Sequence, residues 1–190
     1  TLVQVKSILR GVGNAFVVVD PIMGDNGKLY PVFDLSYVAE MKNVVKLADC
    51  ITPNVTEACL LADVDYASLT CYGKSDFAVQ CERTFADFLQ KVGAKTAVIT
   101  GVDCGQTIAN LVFDGERCQV VANEKVPVTY SGTGDVFSSI LTAMILRGES
   151  VLKATQIAAK SVENAAKATT CSGRRFGIEF CRVLPDLIEK

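Results

Sequence analysis

The stretch AFVVVDPIMGDNG, residues 15–27, decides the fold. It opens with five consecutive apolar residues and turns polar and glycine-rich after Asp20-Pro21. A short apolar run bounded by turn residues is typical of a strand buried on both faces, as in a parallel sheet. Similar short strands are predicted at residues 50–51 and 96–100. Each of them ends in a polar segment.

Segments with helical spacing lie between and beyond these strands. They are predicted at residues 2–10, 35–47, 56–62, 75–92, 135–147, 151–168 and 182–188. Short buried strands that alternate with helices predict an α/β fold, with a mostly parallel sheet flanked by helices on both faces.

One part of the chain departs from this alternation. Apolar residues 108–113 and 118–122 flank Asp114-Gly115, a pair suited to the tight turn of a β-hairpin. We therefore expect antiparallel strands at an edge of the sheet. Hydrophobic residues make up 49% of the sequence, enough for a sizeable core, and no linker interrupts it. Residues 1–190 are expected to form one domain.

Composition narrows the classes of function. A formal net charge of −2 without a basic stripe gives no reason to expect a nucleic-acid or membrane partner. Without a long apolar span or a leader, a soluble, cytoplasmic protein with a small-molecule ligand is expected. The eight cysteines lack a CxxC pair and are expected to be reduced core residues. The absence of histidine excludes Ser-His-Asp and Cys-His catalysis, which leaves carboxylates, hydroxyls, lysines, backbone amides or an oxygen-bound ion.

Four polar segments lie at strand ends or at the start of a helix. They are residues 20–27, residues 52–57, Thr100-Gly101 and residues 131–135. In open α/β sheets, ligands bind beyond the carboxyl ends of the strands, where loops and helix N-termini converge. We expect all four segments to face one crevice.

The glycine-rich turn before the helix near residue 135 is the most informative of the four. Gly132 and Gly134 allow the backbone to approach a ligand closely and aim helix N-terminal amides at an anion. That geometry suits a transferring phosphoryl group, and Asp135 lies where it could accept a proton from a substrate hydroxyl. In the alternative, Ser131 or Thr133 is an ordinary helix cap and Asp135 interacts with the helix dipole.

Oxygen ligands for a metal lie on two neighbouring strand-end loops. Asp20, Asp25, Asn54 and Glu57 are of the type that holds Mg²⁺ together with water and nucleotide phosphates. In the alternative, the first aspartate ends a strand, the second belongs to a turn, and Asn54 caps a helix with Glu57 as its partner. Convergence with the anion site favours the metal hypothesis.

Basic residues outside these segments are not assigned a role in phosphate binding. Lys125, Arg147, Arg174 and Arg175 are isolated cations, which are usually solvated surface residues. Gly73-Lys74-Ser75 resembles the end of a P-loop but lacks the earlier glycine and the preceding strand, so a surface turn is predicted.

Three segments together resemble the ribokinase-like superfamily and, within it, the bacterial pyridoxal (pyridoxine/pyridoxamine) kinases. They are residues 20–25, 52–57 and 132–135, and the resemblance runs from about residue 2 to the C-terminus. It implies ATP and Mg²⁺, with K⁺ or Na⁺ as a possible monovalent cation. It also implies transfer of the γ-phosphate to the 5′-hydroxymethyl group of a vitamin B6 vitamer, and a homodimer.

The resemblance assigns roles to individual residues. Asp135 would be the catalytic base, and the amides of Gly132, Thr133 and Gly134 would form the anion hole. Contacts to the nucleotide are implied for Asp20, Asn54, Glu57, Thr100, Gly101, Val126 and Thr133. Metal ligation is implied for Asp20, Asp25 and Glu57.

Two alternatives to a B6 kinase stay open. Hydroxymethylpyrimidine kinases share most of these motifs but typically carry cysteine after Gly-Thr-Gly or a different aspartate loop, so the loop at residues 24–27 and the turn at residues 132–135 favour B6. A catalytically idle nucleotide- or vitamer-binding module is the alternative from another class. Kinases of this kind usually have an additional N-terminal region that supplies most contacts to the vitamer ring. The sequence is therefore expected to be N-terminally truncated, and this portion alone could be inactive.

Overall fold

A computed structural model describes residues 2–11, 13–70, 76–115, 117–169 and 177–188. The strands are β1 (Val18–Val19), β2 (Gly24–Asp25), β3 (Lys28–Leu29), β4 (Cys50–Ile51), β5 (Thr96–Asp103), β6 (Thr107–Asp114) and β7 (Arg117–Glu124). The helices are α1 (Leu2–Gly11), α2 (Leu35–Val45), α3 (Val55–Ala62), α4 (Tyr66–Thr70), α5 (Phe77–Thr84), α6 (Phe88–Val92), α7 (Thr133–Leu146), α8 (Val151–Ala168) and α9 (Leu184–Ile188). A 3-10 turn at Phe180–Arg182 precedes α9.

The sheet has five strands in the order β1-β4-β5-β6-β7, and β2 pairs with β3 in a separate hairpin. The strands β1, β4 and β5 are parallel neighbours, with Val18 opposite Cys50 and Cys50 opposite Thr96. Strand β6 is antiparallel to both β5 and β7, so four of the five strands point the same way. The predicted α/β sheet and its edge hairpin are confirmed.

Both faces of the sheet are buried, because successive residues of a strand point to opposite sides. On one face Ile51, Ala97 and Ile99 pack in a core with residues of α2, α3, α5 and α6. On the other face Cys50 and Val98 pack with residues of α7 and α8. Since helices cover both faces, the loops at the strand ends are left to bind a ligand.

The helix predicted at residues 75–92 is wrong as a single element. The chain forms α5 and α6 instead, and α4, which was not predicted, precedes them. Phe85 and Phe88 at the break are 1% and 0% exposed, with ring centroids 5.4 Å apart, and Phe88 also contacts Phe113. Packing of these rings against the sheet interrupts the helix, a tertiary effect that helical spacing does not report.

Two strand predictions need correction at their ends. Within the predicted strand at residues 15–19, Val18 and Val19 pair with β4. Gly101 does not end the strand predicted at residues 96–100, because β5 continues to Asp103 after an irregularity between Ile99 and Val102. Gly101 has a φ of 73°, which glycine adopts without steric cost, and it turns the backbone within the strand.

The hairpin β2–β3 was not predicted, although its sequence signal was present. Asn26 and Gly27 form the two-residue turn, with φ values of 50° and 75°. An Asn-Gly pair with both φ values positive is typical of a type I′ turn. The segment treated as a loop is therefore an ordered hairpin beside β1.

Several expectations can be compared with the described residues only in part. All six described cysteines are free thiols, but the core prediction holds only for Cys50, Cys59 and Cys81, since Cys104 and Cys118 are half-buried and Cys181 is exposed. No helix in the described ranges is long and apolar enough to cross a membrane. The predictions made for Cys71, Gly73-Lys74-Ser75, Cys171, Arg174 and Arg175 lie outside those ranges.

Candidate functional site

A cavity of roughly 700 Å³ opens at the carboxyl ends of β1, β4 and β5. The four polar segments predicted to converge all border it. Every residue to which the sequence assigned a role lies in its wall: Asp20, Asp25, Asn54, Glu57, Thr100, Gly101, Val126, Gly132, Thr133, Gly134 and Asp135. The sheet topology explains this convergence, because parallel strands end at the same edge.

The N-terminus of α7 enters this cavity without a side-chain cap. Gly132 is the N-cap residue, with a φ of 84°, and among the described residues no side-chain hydrogen bond caps the first turn. The first bond within the helix is donated by Val136 N to Gly132 O at 3.0 Å. The capping role considered for Ser131 or Thr133 is therefore not seen. Amides of the first turn are left to bind an anion, which the helix dipole also favours.

The turn before α7 is held in place from the C-terminal part of the chain. Ile178 N donates to Ser131 O at 3.1 Å. Gly177 packs so closely that an added Cβ would lie 2.9 Å from the same carbonyl oxygen. These backbone contacts orient the amides of the turn before any ligand arrives.

Asp20 faces the same turn from the end of β1. A Cβ added to Gly134 would lie 3.9 Å from Asp20 Oδ2. Burial raises the pKa of Asp20 to about 6, the Thr52 hydroxyl partly offsets the rise, and the negative charge of Asp135 adds to it. Thr52 Oγ1 is buried and makes no hydrogen bond of normal geometry in the described part of the chain. Two carboxylates, those of Asp20 and Asp135, thus lie at the anion-binding turn, a combination that suits a bound cation.

Asn54 and Glu57 form a capping box at the start of α3. Asn54 Oδ1 accepts from Glu57 N at 2.9 Å, and Glu57 Oε2 accepts from Asn54 N at 2.8 Å. The other carboxylate oxygen of Glu57 accepts from Met23 N at 3.0 Å, and Asn54 Nδ2 donates to Gly24 O at 2.8 Å. The helix cap predicted as the alternative role of this pair is therefore seen. The same hydrogen bonds hold the loop that follows Asp20 in place.

Glu57 is 3% exposed, so its charge is held in a poorly solvated place. Burial raises the pKa of Glu57 to about 7, although the donating amides of Asn54 and Met23 lower it, and the charge of Asp20 contributes to the rise. Because both of its oxygens already accept backbone hydrogen bonds, Glu57 supports the wall of the cavity whatever else it binds.

Asp25 lies at the tip of the β2–β3 hairpin and is exposed. Its two oxygens accept hydrogen bonds from Asn26, one from the backbone and one from the side chain. The hairpin is anchored on α3, since Gly27 N donates to Thr56 Oγ1 at 2.9 Å. Gly24 cannot be replaced without movement, because an added Cβ would lie 2.2 Å from Lys28 O. The turn predicted as the alternative role of Asp25 is therefore also seen, and this turn holds Asp25 at the cavity.

Acidic residues dominate the described wall of the cavity. Its carboxylates are Asp20, Asp25, Glu57, Glu124, Asp135 and Glu163. The one lysine or arginine among those lining residues is Lys125, which is paired with Asp103 at 2.8 Å. A polyanion would be repelled here unless a cation accompanied it. In the described part of the chain no three acidic or cysteine side chains lie close enough to hold a metal ion alone, so water and phosphate oxygens would have to complete its shell.

Part of the cavity wall is apolar, and most of that part was not predicted. Its wall includes Ile108, Val128, Ala159, Val162 and Ala166 in addition to Val126. These side chains come from β6, the segment after β7, and α8. Their contact depends on how an antiparallel hairpin and a helix pack together, for which the sequence offers no local signal. Thr52, Tyr30 and Lys125 also line the cavity, and Lys125 had been set aside as a surface residue.

A family model described as phosphomethylpyrimidine kinase matches residues 1–178 of this chain. Hydroxymethylpyrimidine/phosphomethylpyrimidine kinase of Bacillus subtilis is 29% identical over 164 residues, which are 85% of this chain and 57% of that protein. Pyridoxal kinase of Arabidopsis thaliana is 28% identical over 188 residues, 94% of this chain and 57% of that protein. The chain thus spans little more than half the length of these relatives.

Solved structures of similar proteins have the same fold as this chain. Pyridoxal kinase from Lactobacillus plantarum superposes with a TM-score of 0.84 at 29% identity, covering 99% of this chain and 66% of that one. A candidate phosphomethylpyrimidine kinase from Bacteroides thetaiotaomicron, crystallised with pyridoxal, has a TM-score of 0.84 at 30% identity, covering 98% and 66%. The likeness confirms the predicted ribokinase-like α/β fold.

Proposed function

The chain belongs to the phosphomethylpyrimidine kinase family, and from this premise we propose that it forms the ATP-binding and catalytic part of a small-molecule kinase. The acceptor would be the 5′-hydroxymethyl group of pyridoxal, pyridoxine or pyridoxamine. One observation carries the proposal: the uncapped N-terminus of α7 enters an acidic cavity, with Asp135 in its first turn and Asp20 facing it. This arrangement suits the positioning and electrostatic stabilisation of a transferring phosphoryl group.

In the proposed reaction, Asp135 accepts the proton of the acceptor hydroxyl as its oxygen attacks the γ-phosphorus. The bond between that phosphorus and the β,γ-bridging oxygen breaks, and ADP leaves with the bonding electrons. The amides of Gly132, Thr133 and Gly134 donate hydrogen bonds to the phosphoryl oxygens, where negative charge is concentrated. Asp135 is exposed to the cavity, so a hydroxyl can reach it.

The other assigned residues would bind the nucleotide. Thr100 and Gly101 lie at the irregularity of β5 and face the cavity, where they would contact the triphosphate. Val126 and the apolar wall around it would receive the base or ribose. Asn54 would act from the capping box, where its side-chain hydrogen bonds keep the wall in place.

The acidic wall fits a divalent cation. Asp20 and Asp25 would hold Mg²⁺, with Glu57 contributing through the loop that it braces or through a metal-bound water. When bound, the ion neutralises phosphate charge that the carboxylates would otherwise repel. A monovalent K⁺ or Na⁺ is part of the same proposal. In the absence of a metal ion, the carboxylate of Asp20 would repel the phosphates of the nucleotide.

A B6 vitamer is proposed as the acceptor for two reasons. Asp135 stands where the related pyrimidine kinases typically carry cysteine, and the Bacteroides relative, at 30% identity, was crystallised with pyridoxal. Hydroxymethylpyrimidine is the second candidate, because a Bacillus kinase of that substrate is as similar as the pyridoxal kinases. A homodimer and a cytoplasmic location remain predictions, as does a single domain over residues 1–190.

The test is ADP release measured with ATP, Mg²⁺ and pyridoxal, pyridoxine or hydroxymethylpyrimidine in parallel reactions. We expect turnover with the B6 vitamers to exceed turnover with the pyrimidine, and removal of Mg²⁺ to abolish both. Preference for the pyrimidine would reassign the acceptor. Nucleotide binding without turnover on any acceptor would support a binding module and contradict the catalytic proposal.

A further inference from the structure

Glu163 on α8 is a nearly buried carboxylate that the proposed reaction does not use. It is 7% exposed and lines the cavity. Its Oε1 accepts from Lys160 Nζ at 2.8 Å and from Lys167 Nζ at 2.7 Å, while Oε2 accepts from Asn123 Nδ2 at 2.9 Å. Burial opposes ionisation, but these donors outweigh it and lower the pKa of Glu163 to about 2. The carboxylate is therefore ionised and fully engaged at neutral pH.

The hydrogen bond from Asn123 to Glu163 joins two elements that are distant in sequence. Asn123 lies on β7, the edge strand, and Glu163 lies on α8. Lys167 adds a second connection, since it donates to Glu124 on β7 at 2.6 Å as well as to Glu163. A buried, charge-assisted hydrogen bond fixes the geometry of its partners more strictly than apolar contacts do.

Residues next to this pair line the same cavity. Val126 and Val128 follow β7, while Ala159 and Val162 project from α8. Val126, Val128 and Val162 pack against one apolar cluster, and such side chains make no directional contacts. The Asn123–Glu163 hydrogen bond is directional, so it fixes how β7 lies against α8 at this part of the cavity wall.

We propose that the Asn123–Glu163 hydrogen bond fixes the part of the cavity wall that receives the flat base of the nucleotide, which makes Glu163 a positioning residue. This inference rests on the proposed function. It predicts that the pair controls affinity for nucleotides through the base, while the phosphate-binding end of the cavity acts independently. Glu163 would not touch the reacting atoms.

The test exchanges donor and acceptor between the two positions. Glu163→Gln removes the charge, and Asn123→Asp places two carboxylates opposite each other. Each should weaken ATP binding to the 190-residue chain roughly tenfold or more, as expected for loss of a hydrogen bond to a charged group. The double variant restores a donor–acceptor pair with exchanged sides and should recover most of the affinity. Isothermal titration in Mg²⁺ measures all four dissociation constants.

Two controls separate positioning from general damage. Inorganic tripolyphosphate lacks the base and should bind the wild type and all variants equally. Asp87→Asn removes an exposed ion pair with Lys91 on α6, outside the cavity, and should leave ATP affinity unchanged.

Each outcome of this titration has one meaning. Unchanged ATP affinity in both single variants, or equal loss of ATP and tripolyphosphate binding, would overturn the positioning role while leaving the proposed function in place. A wild-type chain that binds tripolyphosphate but does not distinguish ATP from it would overturn the assignment of this wall to the base. Failure of the wild type to bind either compound would instead contradict the proposed function, and the inference with it.

Discussion

Two helix N-termini meet at the same cavity, and they differ in how their amides are satisfied. At α3, the side chains of Asn54 and Glu57 complete a capping box, and Glu57 also accepts from Met23 N. At α7, the N-cap residue Gly132 has no side chain, and no other side chain in the described ranges caps the first turn. Both helices follow polar turns beside the carboxyl end of the sheet, so their places in the fold are alike.

The difference separates a structural brace from a ligand site. Amides that are already bound to protein oxygens stabilise the chain but have little left for a ligand. Amides left without an internal partner cost stability until an anion binds. The residue at the N-cap decides which of the two a helix end becomes, and glycine at residue 132 keeps the end of α7 open. Four changes would break or sharpen this contrast.

Asp135→Asn should have the largest effect, because it alters the reacting group at the open end. We expect kcat to fall by about 10²–10⁴-fold, the range of general base catalysis, with nucleotide affinity retained. Single-turnover assays and nucleotide titrations would measure the two quantities separately. Near-normal turnover would remove Asp135 from the role of base.

Glu57→Ala should have the next largest effect, on stability. It leaves the buried amides of Asn54 and Met23 without acceptors, so the free energy of unfolding should fall by about 2–4 kcal/mol. Denaturant unfolding would measure it, and Glu57→Gln, which keeps one acceptor, should lose less. Stability close to that of the wild type would show that the capping box is not a brace.

The free energy of unfolding should also depend on pH, because the carboxyl groups of Glu57 and Asp20 have raised pKa values in the folded protein. The pKa of Glu57 is about 7 in the folded protein against an ordinary 4.5, and that of Asp20 is about 6 against 3.8. The folded state therefore binds more protons than the unfolded state within these windows. The free energy of unfolding should fall as pH rises from about 4 to 7, by at most about 1.4 kcal/mol per unit for each group.

Unfolding curves in chelator at several pH values would show this slope, and Mg²⁺ or Glu57→Gln should flatten it. The chain has no histidine, so no imidazole titrates in the same range. A free energy of unfolding that rises with pH over this interval would contradict the linkage.

Gly134→Ala should have the smallest effect and the most selective one. The added methyl group would lie 3.9 Å from Asp20 Oδ2, an ordinary contact, so the empty protein should tolerate it. Stability should stay equal or rise by up to about 1 kcal/mol, because alanine is a better helix former than glycine. Affinity for ATP and tripolyphosphate should nevertheless fall about tenfold, since the methyl group enters the space of the phosphoryl group. Unchanged affinity would place the anion elsewhere.

Local sequence patterns predicted much of the phosphate end of the site. The polar segments at Asp20, Thr52 and Thr100 and the turn at Gly132 border one cavity, because they lie toward the carboxyl ends of neighbouring parallel strands. The Asn26-Gly27 hairpin was also available from sequence and was missed. Lys125 and Glu163 carried no such signal, since an isolated cation or a helix glutamate is usually solvated.

The sequence by itself determined the alternation of strands and helices and the residue types available at the two helix ends. Such features follow from periodicity, from capping residues three positions apart and from glycine at a positive φ, all of which act over a few residues. Only the tertiary structure decided that Glu57 reaches Met23, that Phe85 and Phe88 interrupt a helix, and that Asn123 meets Glu163. These contacts join residues through the packing of whole elements, and the energies that select them arise only when the sheet and helices come together.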